Sequence, residues 1–196
     1  MVERLDSSIG RILDTIEEQP DAANTLAVFT YDHGGAEIAT IGGASLQQGF
    51  ATLWEGGLRI PLIIHWPAGI QPLATGGDVV ASPAIMMDVT ATVISLTAVS
   101  TPSGVDLDGS LWPQISGEAT EDGEERTFHW RLDLPPSNAW ATGKRRAVRR
   151  GRWKYLWDGG FGYLFDLDVD PAERTNVLYR NEAIARELAA LSQSNW

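Results

Sequence analysis

At 196 residues, with 43% hydrophobic and 21% charged content, the sequence is long enough for one large domain or one and a half small ones, and has the composition of a soluble globular protein. The absence of cysteine excludes disulfides, thiolate metal sites and a cysteine nucleophile within it. A net charge of −11 argues against nucleic acid and anionic membrane as general partners, and no apolar run is long enough to span a bilayer. No basic-then-apolar leader opens the sequence, so no signal peptide is read in it and the compartment stays open.

In chain order, Val2, Leu5, Ile9, Ile12, Leu13 and Ile16 recur at three- and four-residue steps among charged residues, which predicts an amphipathic helix ending near Glu18. Residues 25–30 form a continuous apolar run of strand length, suited to a strand buried on both faces, and stop at Tyr31-Asp32-His33-Gly34-Gly35. Residues 36–58 read as a long loop. Residues 60–66 read as a second buried strand, closed by Pro67 and adjacent to the first. A turn at 72–77, a helix over 82–99, a loop at 101–108 and an acidic exposed loop at 117–125 follow.

Beyond Phe128 the pattern changes. Residues 146–157 and 163–167 alternate as antiparallel strands around the Asp158-Gly159-Gly160 turn, and 182–191 reads as a terminal helix. This gives an α/β class, with an α/β part over 1–125 and a small antiparallel sheet with a helix over 126–196. Seven of the 15 Lys and Arg residues fall between Lys144 and Lys154. Strand alternation there would put Arg150, Arg152 and Lys154 on one face as an anion-steering surface. His129 is a further candidate at the rim of an anion pocket, whereas His65, in mid-strand, reads as a core or interface residue.

Asp32 and His33 end the first strand, at the edge of an open α/β sheet where ligands bind, and a carboxylate beside an imidazole suits a divalent cation. The second cluster is Trp54-Glu55-Gly56-Gly57-Leu58-Arg59-Ile60-Pro61, in which Glu55 and Arg59 read as braces of loop and strand.

These residues resemble the sulfatase family. Residues 24–34 are similar to its NTLVVFTSD(N/H)G strand and metal-binding turn, and residues 52–67 to its TxWEGGxRxPxxxxWP signature. Residues 146–156 and 164–176 resemble its carboxy-terminal strands and tail, in the family's order. The resemblance implies an alkaline phosphatase-like fold: a partial sheet covered by helices, then a small antiparallel sheet plus helix. It implies sulfate-ester hydrolysis on small molecules or glycans, with one divalent cation, usually Ca²⁺, bound at Asp32 and His33. The structural motif maps to Glu55, Gly56, Gly57 and Arg59.

Three departures qualify it. The sequence has no Cys-x-Pro-x-Arg or Ser-x-Pro-x-Arg segment, the source of the family's formylglycine nucleophile, so no catalytic residue is assigned. The paired aspartates that complete the family's metal site belong to a strand it does not contain. Phe50 stands five residues before Glu55, where members often have a sulfate-contacting lysine. Met1 also falls where family members are in mid-helix. The expectation is a carboxy-terminal portion of a sulfatase, inactive alone. The rivals are a non-catalytic remnant or binding module, and a phosphoester or phosphonate hydrolase of the same superfamily.

Overall fold

A computed structural model of the chain describes residues 2–35, 46–70, 79–97, 99–100, 109–117, 125–134 and 143–194. The turn at 72–77, the loop at 101–108, most of the acidic stretch and residues 36–45 lie outside them. The chain forms two compact units, Met1–Phe29 with Ile63–Gly123, and Thr30–Leu62 with Glu124–Trp196. The second unit is discontinuous in sequence and takes in Thr30–Leu62, the stretch that carries both motifs.

In the first unit, α1 (Val2–Glu17) forms as its periodicity requires, and none of its residues is buried. Val2, Leu5, Ile12 and Leu13 are exposed. β1 (Ala27–Thr30) pairs with β2 (Leu62–His65) in a two-stranded sheet. Burial on both faces, as expected from the apolar runs, does not occur: Val28 is 37% and Ile63 57% exposed, because these strands have only each other as partners among the described residues. His65 is exposed, not in a core. α3 (Met86–Leu96) is shorter than the run expected over 82–99, since Asp88, 2% exposed, accepts the Ile85 N–H at 2.9 Å and fixes the helix start there. Thr92 Oγ1 donates to the Asp88 carbonyl at 2.6 Å and accepts the Leu111 N–H at 2.8 Å. That bond positions α4 (Trp112–Ser116), a short helix with Pro113 in its first turn that the sequence pattern did not reveal.

The second unit is built on an antiparallel sheet in the order β3 (Thr127–Leu134), β4 (Gly143–Arg150), β5 (Trp153–Asp158), β6 (Phe161–Asp166). The β5–β6 hairpin turns through Gly159 and Gly160 at φ +58° and +91°, a two-residue connection open to glycine at both positions. Alternation gives the sheet two apolar faces. Val148, Tyr155 and Leu164 pack against Ala185 and Leu188 of α5 (Glu182–Ser194). Ala147, Leu156 and Phe165, on the opposite face, pack against Leu53 and Trp54. The segment read as loop therefore covers a sheet face, and its end is one helical turn, α2 (Glu55–Leu58).

Candidate functional site

Two glycine turns meet within the second unit because nothing larger fits. Gly34 donates its N–H to the Gly57 carbonyl at 2.9 Å, and a Cβ on Gly34 would lie 1.8 Å from the Gly56 oxygen. Gly56 in turn donates to the Gln47 carbonyl at 3.2 Å, and a Cβ there would meet the Gln48 oxygen at 2.0 Å. The Asp-His-Gly turn is thus seated backbone to backbone on α2, an approach only glycine permits.

Asp32 and His33 project from that seat. The His33 N–H donates to Asp32 Oδ1 at 3.0 Å, and His33 Nδ1 bonds the Gly34 carbonyl at 2.8 Å. A carbonyl can only accept, so Nδ1 carries a proton and Nε2 is the ring nitrogen left to face Asp32. Nε2 lies 3.5 Å from Asp32 Oδ2, with both side chains solvent-accessible, so the two atoms are close enough to share one cation. Imidazole ligands characteristically place their other N–H on a carbonyl in this manner. The donor set fits a divalent cation in part: among the described residues, no group of three or more His, Asp or Glu side chains gathers, against the six to eight ligands Ca²⁺ takes. Phe50 packs against His33 with ring centroids 4.3 Å apart and the planes tilted by 45°, so an aromatic ring flanks the turn.

Beneath α2 lies a buried charge cluster. Lys154, with no solvent exposure, reaches from β5 to Glu55 Oε1 at 2.7 Å and Glu173 Oε1 at 2.8 Å. The second contact is electrostatic, since Glu173 Oε1 makes no well-directed hydrogen bond. Glu173 Oε2 accepts the Glu55 N–H at 2.5 Å, tying down the start of α2. Burial, opposed by the Lys154 ammonium, holds the Glu173 carboxyl above the usual carboxylate range. Glu173 also adopts φ +56°, unusual for a residue with a side chain. A second bracket holds the same segment: Asp158 accepts Arg145 Nε at 2.6 Å and the Trp54 indole N–H at 3.0 Å, while Arg145 donates to the Ala51 carbonyl at 2.9 Å.

The shared cationic face expected of Arg150, Arg152 and Lys154 is not formed. Gly151 and Arg152 make the β4–β5 turn, so register pairs Lys154 with Arg149 and Arg150 with Trp153, on opposite faces. Each cation has an internal carboxylate: Lys154 those above, Arg150 Glu187 at 2.5 Å, and Arg152 Asp166. His129 pairs with Val148, which faces α5, so it stands on the far side of the sheet from the Asp-His turn, and burial lowers its pKa. Arg59 is exposed, and its backbone N–H closes α2 on the Glu55 carbonyl at 2.8 Å. Sequence reasoning missed Glu173 and the burial of Lys154. The available signal was a lone lysine in the aromatic strand Trp-Lys-Tyr-Leu-Trp, since a lysine inside a two-faced sheet is buried only when paired.

The family model described as Sulfatase matches residues 1–99. The chain is 36% identical over 224 residues to the steryl-sulfatase of Mus musculus, which covers 95% of this chain and 34% of the mouse protein. The crystal structure of Ps i-CgsB superposes with a TM-score of 0.81 at 24% identity, covering 100% of this chain and 42% of that one, which shows the fold. The phosphonate monoester hydrolase SpPMH from Silicibacter pomeroyi has a TM-score of 0.69 at 28% identity, covering 96% and 37%. The chain thus spans about a third of the length of the curated relative.

Replacing Lys154 by Met strands two buried carboxylates and is expected to cost about 3–5 kcal/mol by urea denaturation. Arg152→Gln, which opens a more exposed pair, is expected to cost clearly less. Equal losses would contradict the buried cluster. The raised Glu173 pKa adds a pH signature. The folded chain keeps a proton that the unfolded chain has released, so this stability is full below the ordinary glutamate range and is lost as pH rises through the raised value. Urea midpoints across that range should fall with pH for the native chain and lose this component in Glu173→Gln.

Proposed function

The chain belongs to the sulfatase family, and we propose that Asp32 and His33 are two of the ligands of the divalent cation in a sulfate-ester hydrolase, held in place from below by Glu55 and Lys154. The observation that carries this reading is the His33 ring, whose Nδ1–H is spent on the Gly34 carbonyl so that Nε2 is directed toward Asp32. Asp32 supplies negative charge and His33 a neutral donor. The Gly34–Gly57 bond fixes the backbone from which both project. When bound, a divalent cation, Ca²⁺ by family resemblance, would neutralise charge on sulfate oxygens. The substrate class is a sulfate ester of a small molecule or glycan.

These 196 residues alone are proposed to be inactive. Nucleophilic catalysis needs an activated nucleophile, and the sequence has neither cysteine nor Ser-x-Pro-x-Arg to mature into one. A phosphonate or phosphate ester hydrolase is the second reading, favoured by the likeness to SpPMH. The test is turnover of an aryl sulfate and an aryl phosphonate by residues 1–196 with and without Ca²⁺, beside Asp32→Ala, with Ca²⁺ binding followed calorimetrically. No turnover is expected on either ester, with Ca²⁺ affinity about millimolar or weaker and reduced further in the variant. Metal-dependent turnover that Asp32→Ala abolishes would show a complete site and overturn the inactive-portion reading. Ca²⁺ binding indifferent to Asp32→Ala would overturn the ligand assignment.

A further inference from the structure

Among the described residues of this unit, α5 covers only half of its sheet face. α5 seats on Val148, Tyr155 and Leu164. Past it, register lays out a row across three strands, Trp157 opposite Arg146 and Arg146 opposite Arg131. Beyond that row Lys144 stands opposite Asp133. Trp157 is 39% exposed, although it continues the same face as buried Tyr155.

The charges in this row are unbalanced. Like charges directly across an antiparallel ladder repel, and Arg131 and Arg146 are so placed. Asp133 is engaged by Arg131 through two guanidinium nitrogens, leaving three cations to share one carboxylate. Arg146 is half-buried, and its Nε has no hydrogen-bond partner among the described residues. In a chain of net charge −11, a cationic strip beside an exposed indole is a local reversal of sign.

We propose that this half-face, bearing Trp157, Arg146 and Lys144, is a docking platform for a sulfated saccharide, outside the metal turn and on the opposite face of the sheet. A pyranose ring offers a flat C–H surface to the indole, as apolar matter does to any aromatic face. Its sulfate oxygens accept from the Arg146 guanidinium, whose planar fork suits a multi-oxygen anion, with Lys144 adding a point charge. The choice of sulfate over other anions rests on the sulfatase reading. The ring-plus-anion requirement rests on Trp157 and Arg146 alone.

The test is calorimetric titration of residues 1–196 with a heparin-derived hexasaccharide, the same saccharide desulfated, inorganic sulfate, and a single-stranded hexanucleotide. The sulfated saccharide is expected to bind at least about tenfold tighter than each of the other three, since it alone supplies both ring and sulfate. Trp157→Ala should weaken it at least about tenfold, and Trp157→Phe, which keeps a ring, should restore most of the loss. Arg146→Gln should weaken it at least about fivefold and shrink the preference over the desulfated form. Arg186→Gln, on an exposed α5 arginine already paired with Glu182, should leave binding unchanged. Because binding, not hydrolysis, is read, the result stands whether or not the metal assignment holds. Binding that ignores both Trp157→Ala and Arg146→Gln, that is lost in Asp32→Ala instead, or that is matched by the oligonucleotide overturns the platform. Absence of saccharide binding overturns it too.

Discussion

Lys154 lies fully buried in an interior strand, its ammonium 2.7 Å from Glu55 and 2.8 Å from Glu173. An ammonium in such a place persists only with a carboxylate beside it, and a carboxylate there persists only with the ammonium. Three stretches far apart in sequence, one before the sheet, one inside it and one after it, are therefore obliged to meet. The Trp-Glu-Gly-Gly signature, the Arg-Trp-Lys-Tyr strand and the Asp-Pro-Ala-Glu tail each contribute one charged group to this meeting point. Burial raises the pKa of the Glu173 carboxyl, against the opposing pull of the Lys154 ammonium.

From that cluster the constraint passes upward through backbone alone. Glu55 opens α2, Gly56 and Gly57 form its turn, and Gly34 bonds the Gly57 carbonyl, so Asp32 and His33 are supported by the sheet face below them. The Arg145–Asp158 bracket, through Ala51 and Trp54, holds the same segment one turn earlier. The Asp-His-Gly turn, kept in place by close backbone contacts and a buried ionic cluster, has little room to relax. Such a support suits the cation-binding role proposed for Asp32 and His33. The opposite face is used otherwise: α5 closes half of it, and the remainder exposes Trp157 beside Arg146.

The elements that were legible in the sequence are those whose signal is local. α1, β1, β2, the β5–β6 hairpin and α5 announce themselves by periodicity or by paired glycines, and Asp32 and His33 by their place after a strand. The sequence pattern did not separate a strand buried on both faces from one with an open side. Val28 and Ile63 are apolar in either case, and their exposure depends on neighbours rather than on the strand. Alternation also misplaced Lys154 relative to Arg150, because a two-residue turn between them resets the face. Glu173 gave no local signal, since its importance arises from residues 118 positions away. α4 was hidden by its brevity, and is placed by tertiary contacts, the Leu111 N–H on Thr92 and Trp112 against Trp66.

The central claim, that a buried cluster in the sheet holds the Asp-His-Gly turn, is tested most directly by amide hydrogen exchange at Gly34, read by NMR in the native chain and in Lys154→Met. The amides of Val148 and Tyr155 in the sheet serve as internal reference. The account predicts that Gly34 protection, supplied by the bond to the Gly57 carbonyl, falls at least about tenfold more than that of the reference amides when the ammonium is removed. Gly34 protection that follows the reference amides in the variant would mean the turn is held independently of Lys154, and would contradict the account.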